Sequence, residues 1–226
     1  MAVSRPRQVS VDNMVYERIR DDLVSGHYEP GTKLRIEELG VKYGFGASPI
    51  REALSRLAEG GLIVYEAQRG YRVAQVSVEE YTDLIAMRLM LEPEALKQSI
   101  DCGALEWESN VVAAFHRLST MQSRLAEGSV SAYRDWARED RGFHQALISA
   151  CPSPWLLHFA RTVIEQIARY HRDRILSGLL PMHKTENEHK RLMDAALSRD
   201  SESARALLME HIRSVSTRVK DAVSAR

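Results

Sequence analysis

Gly44-Phe45-Gly46-Ala47-Ser48-Pro49-Ile50-Arg51-Glu52-Ala53-Leu54 is the stretch on which the fold turns. It holds a glycine turn followed at once by a helix start. Serine stands at the N-cap and proline at the first helical position, where its missing N–H costs nothing. Beyond it Ile50, Ala53, Leu54 and Leu57 form an apolar stripe at helical spacing, while Ser48, Arg51 and Ser55 share a different face. Gly60-Gly61 ends this helix near Glu59. Before the turn, Ile36 to about Tyr43 reads as a short helix. Two helices across a tight turn form a helix-turn-helix, whose second helix lays its N-terminal part in the major groove of DNA.

Upstream of this pair, Met14, Val15, Ile19 and Leu23 recur at helical spacing until Gly26, and Tyr28-Glu29-Pro30-Gly31-Thr32 is a turn. Downstream, Leu62–Tyr65 and Tyr71–Ala74 are β-prone runs separated by Glu66-Ala67-Gln68-Arg69-Gly70, the pattern of a hairpin. Three helices plus a β-hairpin make a winged helix-turn-helix. Ser48 and Arg51 then face the groove, Arg69 reaches a phosphate or the minor groove from the wing, and Gly70 permits close backbone approach. A single arginine among these, taken alone, reads more readily as solvated surface; the ordered combination carries the DNA-binding assignment.

At Ser77 the pattern changes. Ser77 and Glu80 have capping-box spacing, and the remainder is periodic, helical and free of strand signals. The boundary falls near Val76, giving a DNA-binding domain over 1–76 and an all-helical domain over 77–226. Helices are predicted over about 78–101, 105–127, 130–150, 154–177, 183–199 and 201–223, broken at Gly103, Gly128, Pro152, Gly178 and Asp200. With 44% hydrophobic and 27% charged residues over 226 positions, the chain can form real cores and is not a disordered tail. Lysine plus arginine equal aspartate plus glutamate at 31 each, so contact with DNA requires a local basic patch rather than a global field. Cys102 and Cys151 are too few and too far apart for a CxxC site or a disulfide scaffold, which points to a reducing compartment. Met1–Val11 lacks the apolar core of a signal peptide, and no stretch of about 18 apolar residues is present. A cytoplasmic protein without a membrane partner is expected.

The helical half carries a second constellation. Asp140 and His144 are four residues apart and share a face with Trp136 and Leu147. His189 shares one with Leu192, Met193 and Ala196, and His211 with Leu207, Leu208, Val215 and Ala222. A carboxylate buried without compensation costs several kcal/mol. A divalent metal held by one aspartate oxygen and three imidazole nitrogens supplies that compensation and leaves a position open to water or an effector oxygen. The alternative is an Asp–His hydrogen bond beside two unrelated core histidines. His27, His116, His158, His171 and His183 lack such company, although His171 and His183 are close enough in sequence to compete as ligands.

The run Pro30-Gly31-Thr32-Lys33-Leu34, then Gly44-Phe45, Ser48-Pro49-Ile50-Arg51-Glu52-Ala53-Leu54, Gly61-Leu62 and Arg69-Gly70 resembles the winged helix of GntR-family regulators. Gly46-Ala47 departs from the serine-arginine common in that family, and Glu37 stands near a frequent arginine, so a different operator is expected. Arg88-Leu89, Leu91-Glu92 and Ala95, then Asp140-Arg141-Gly142-Phe143-His144, Glu188-His189, Asp200, Ala204-Arg205 and His211-Ile212 are similar to the FCD sensor domain of its FadR-like branch. Cys151-Pro152-Ser153-Pro154 replaces the usual Asn-Pro turn. The resemblance implies an antiparallel helical bundle, a homodimer, and zinc, nickel or manganese on Asp140, His144, His189 and His211, with zinc foremost. It also implies a small organic-acid effector beside the metal. Arg88 is a candidate anchor for the effector's carboxylate, since guanidinium pairs with carboxylate through two hydrogen bonds; a helix salt bridge to Glu92 weighs equally.

The reading that follows is a ligand-responsive regulator, a repressor in its simplest form, with two DNA-binding heads on a palindromic double-stranded operator. One competing reading is a metal-dependent hydrolase on the helical bundle, which needs a general base such as Glu186 or Glu188 and leaves the winged helix unexplained. Another makes the metal itself the signal.

Overall fold

The computed structural model describes residues 11–125, 130–170 and 182–224. Its chain divides into two units, Met1–Gln75 and Val76–Arg226. Helix predominates, and the only sheet among the described residues belongs to the first unit.

That unit runs α1 (Val11–Val24), β1 (Lys33–Leu34), α2 (Ile36–Tyr43), α3 (Ala47–Glu59), β2 (Ile63–Glu66) and β3 (Gly70–Val73). Val15, Ile19 and Leu23 of α1 are buried, as are Ile50, Ala53, Leu54 and Leu57 of the adjoining α3. Met14, expected on the α1 stripe, is 39% exposed, because the i, i+4, i+8 spacing of the other three sets the buried face. Gly44 ends α2 at φ +78°, a conformation costly for a side chain, and donates its N–H to the Gly40 carbonyl. Gly40 is needed as well: a Cβ there would stand 2.9 Å from the Phe45 carbonyl oxygen.

Two expectations need correction here. Gly46, not Ser48, is the N-cap of α3, so Ser48 and Pro49 lie inside its first turn. Proline is tolerated there because the first-turn N–H groups have no helical partner anyway. The sheet also has three strands in the order β1-β3-β2, all neighbours antiparallel, with Lys33↔Arg72 and Leu34↔Tyr71 joining β1 to the hairpin. A strand of two residues is too short to show alternation, which is why only the hairpin was anticipated. The hairpin strands themselves sit one residue off expectation, β2 ending at Glu66 and β3 starting at Gly70.

The second unit contains α4 (Val78–Cys102), α5 (Leu105–Leu125), α6 (Val130–Leu147), α7 (Pro154–Ala168), α8 (Met182–Leu197) and α9 (Ser201–Ser224). Ser77 caps α4, its hydroxyl accepting the Glu80 N–H at 3.0 Å. Ser153 caps α7 in the same way, with Pro154 in the first turn. Helix α6 stops at Leu147 rather than 150, passing into tight turns before Pro152, which disfavours helical backbone at the residue ahead of it. Helix α7 ends at Ala168 rather than 177, Arg169 capping it and Tyr170 lying in the turn, while residues 171–177 and the expected breaks at Gly128 and Gly178 lie outside the described residues. Helix α4 packs against α7 and α9, α5 against α6 and α8, and α8 against α9. Tyr81, Leu96, Ile100, Trp136, Phe143 and Tyr170 are the largest fully buried side chains of their shared core.

Candidate metal centre and nucleic-acid interface

In the first unit, α3 presents Ser48 and Arg51 to solvent from its N-terminal half. The hairpin turns through Gln68 at φ 64° and Gly70 at φ 84°, leaving Arg69 77% exposed with Glu66 3.9 Å away. A cleft of about 530 Å³ brings Arg51 and Arg69 together, with Lys33, Arg35, Glu37 and Gly70 in its wall. Ser48 does not line it. Lys33 and Arg35 were missed from sequence, since β1, which carries Lys33 here, gave no signal. For Gly70 the requirement is conformational rather than steric: a Cβ there would meet nothing within 4 Å, but its positive φ disfavours other residues. Four cations around one acid make the local basic patch that a chain of zero net charge needs to meet phosphates.

In the second unit, α6 brings Asp140 and His144 inward on the face that also buries Trp136 and Leu147. His189 of α8 arrives beside buried Leu192 and Ala196, and His211 of α9 beside Leu208, Ile212 and Val215. The three imidazoles converge: each offers a ring nitrogen within 4.8 Å of the other two. Ring centroids are 5.6 Å apart for His144 and His189, 5.3 Å for His144 and His211, and 4.6 Å for His189 and His211. Asp140 stands at the edge of this triad, Oδ1 3.4 Å from His189 Nε2. Residue 171 and the side chain at 183 lie outside what the structure describes.

Burial, followed by the neighbouring His211, pushes His189 well below the ordinary histidine value. Burial, followed by His144, lowers His211 to about 3. Both are therefore neutral rings with a lone pair to give at neutral pH, the form that ligates metal. His189 has both ring nitrogens buried and, among the described residues, neither in a hydrogen bond. Such an orphaned polar group is costly unless something else meets it, and a divalent ion fits that donor set.

The carboxylates around the triad were only partly foreseen. Glu92 is buried on α4, ion-paired to Arg88 Nε and 2.7 Å from His144 Nδ1. Burial opposes its charge, yet Arg88 and then His144 hold the carboxyl at about 2. Of the two roles weighed for Arg88, the structure makes the Glu92 salt bridge, and Arg88 Nη2 also lies 3.2 Å from His144 Nδ1. Glu188 Oε2 is 2.9 Å from His211 Nδ1. Glu186, the other carboxylate considered as a base, accepts a hydrogen bond from Ser119 at 3.0 Å. Spacing along α4 reveals the Arg88–Glu92 pair, but nothing in the sequence links Glu92 to a histidine 52 residues away.

Residues 12–73 match the model of the family described as bacterial regulatory proteins, gntR family, and residues 83–214 match that of the FCD domain. The chain is 39% identical to the uncharacterized HTH-type transcriptional regulator BphR of Paraburkholderia xenovorans (strain LB400), over 91% of this chain and 83% of that protein. It is 31% identical to the HTH-type transcriptional repressor GlaR of Escherichia coli (strain K12), over 87% and 90% respectively. Among solved structures it superposes on E. coli McbR/YncC with a TM-score of 0.80 at 19% identity, covering 92% of this chain and 95% of that one. A putative GntR regulator from Rhodococcus sp. RHA1 gives 0.72 at 22%, covering 92% and 96%. At those identities the two structures attest the fold alone.

Proposed function

This chain belongs to the GntR family of bacterial transcriptional regulators and carries an FCD domain, and we propose that it is a homodimeric repressor whose hold on its operator is set by a small organic acid bound beside a divalent metal. Its family and relatives are regulators rather than enzymes, so the hydrolase alternative is set aside. The observation that carries the sensing half is the buried convergence of His144, His189 and His211, with neither ring nitrogen of His189 in a hydrogen bond among the described residues. Asp140 adds an oxygen donor at its edge. Zinc suits this nitrogen-rich set best, with nickel or manganese also compatible.

Ser48, Arg51, Arg69 and Gly70 are the proposed DNA contacts, the two arginines through the cleft they share. Double-stranded DNA with two half-sites is the partner, since two linked heads gain affinity that one lacks. Arg88, whose guanidinium is ion-paired to Glu92, is the candidate anchor that the effector's carboxylate would share with that glutamate. A regulator that reads genomic DNA acts in the cytoplasm; separately, no described helix is long and apolar enough to cross a membrane. That GlaR is named a repressor supports the sign of regulation proposed here.

The test is fluorescence anisotropy on DNA from upstream of the chain's own coding sequence, with protein as purified, after chelation, and after metal return with a panel of small organic acids. Elemental analysis and light scattering accompany it. About one metal per chain, a dimer, and operator release by one acid only when metal is present are expected. Failure to bind that DNA under every condition refutes the repressor reading, and release by chelation alone makes the metal the signal.

A further inference from the structure

We propose that Glu92 and Glu188 are positioning residues of the metal centre: each accepts the Nδ1–H of one imidazole, His144 and His211 respectively, and so turns that ring's Nε2 lone pair toward the ion. This rests on the metal reading above and goes beyond it in assigning the groups that orient the ligands.

The chemistry of each contact fixes its direction. An ionised carboxylate only accepts hydrogen bonds, so a ring nitrogen facing one at hydrogen-bond distance carries the proton. Glu92 Oε1 stands 2.7 Å from His144 Nδ1, and Glu188 Oε2 stands 2.9 Å from His211 Nδ1. An imidazole that is to ligate a metal holds a single proton; with that proton on Nδ1, the donor atom is Nε2. Arg88 lies 3.2 Å from the same Nδ1 but cannot donate to a nitrogen that already bears hydrogen. Its ion pair with Glu92 serves instead to keep the carboxylate charged and aimed.

The two locked rings are nearly parallel, with an interplanar angle of 27°, although their carboxylates come from different helices, α4 and α8. Glu188 also precedes His189 in sequence, so α8 contributes a ligand and, at the adjacent position, the lock for a ligand on α9. His189 differs, since among the described residues neither of its nitrogens has a hydrogen-bond partner, Asp140 Oδ1 standing 3.4 Å from its Nε2 without bonding to it. The centre is thus built from two imidazoles of fixed tautomer and one that takes its orientation from packing. A carboxylate behind a ligating imidazole raises its basicity as well as fixing its angle, and losing such a partner typically costs about 10–100-fold in metal affinity.

Glu188→Met removes the acceptor while keeping a side chain of similar length, and Glu188→Gln retains a carbonyl oxygen that can accept. For the other lock, Arg88→Met/Glu92→Met removes both charges so that neither is left buried alone. Zinc affinity is measured by competition with a chromophoric chelator, and histidine tautomers are read in metal-free protein by long-range 1H–15N NMR. Glu188→Met is expected to weaken zinc by about 10–100-fold and move His211 away from the Nδ1–H form, with Glu188→Gln recovering most of both. The double variant is expected to act likewise on His144. Unchanged zinc affinity and unchanged tautomers in Glu188→Met and in the double variant overturn this inference and leave the metal reading intact. Wild-type protein that takes up no zinc, nickel or manganese overturns the metal reading itself, a separate result.

Discussion

Replacing Arg88 with methionine leaves Glu92, 1% exposed, without the guanidinium that offsets its charge. Removing one partner of a buried ion pair typically costs about 3–5 kcal/mol, because the other charge is then stranded. The depressed carboxyl points the same way: held at about 2 instead of 4.5 by Arg88 and then His144 against its burial, it adds stability at neutral pH of the same order, about 3 kcal/mol. For a helical unit of this size that is a fall of roughly 6–12 °C in the midpoint of thermal unfolding, followed by circular dichroism on metal-free protein. The pH dependence is more diagnostic than the fall itself. A carboxyl whose folded value is depressed stabilises above its unfolded value and loses that contribution as pH falls from 4.5 to about 2. The gap between wild type and Arg88→Met should therefore be full at neutral pH and narrow across that acid window. Arg88→Met/Glu92→Met should recover most of the loss. A single variant within about 0.5 kcal/mol of wild type, or a gap that ignores acid, would show that the pair does not carry this charge balance.

Arg51→Ala and Arg69→Ala should each weaken operator binding, and each arginine that meets a phosphate should lower the slope of log affinity against log salt by about 1; anisotropy titrations at several salt concentrations that show no change would remove them from the interface. Gly44→Ala places a side chain at φ +78° and should cost the DNA-binding unit about 1 kcal/mol in denaturant unfolding, and a neutral result would contradict the left-handed turn. For metal-free protein, acid should destabilise: the unfolded chain protonates His211 from 6.5 downward while the folded ring stays neutral to about 3, so stability falls across that interval, and His189 acts in the same direction. Urea midpoints that rise on acidification would refute the burial of neutral imidazoles.

Much of this protein is determined by local sequence pattern. The spacing of Ile50, Ala53, Leu54 and Leu57 predicts the α3 stripe that the structure buries, and Gly44 and Ser77 mark a helix end and a helix start through backbone chemistry that needs no tertiary partner. The same periodicity directs Asp140, His144, His189 and His211 inward, because an apolar stripe fixes which face of a helix leaves water. Periodicity is silent about what that face meets. Only the packing of α4, α6, α8 and α9 decides that the three imidazoles share one point and that Glu92 stands behind His144. The same holds for Glu188 and His211 across 23 residues of chain. Strand β1 escapes detection because two residues carry no period, and Gly46 displaces Ser48 as N-cap because the turn geometry outranks side-chain preference there. Helix faces are a property of spacing along one axis, whereas a site is a property of several axes brought together, and that information exists only once the helices have packed.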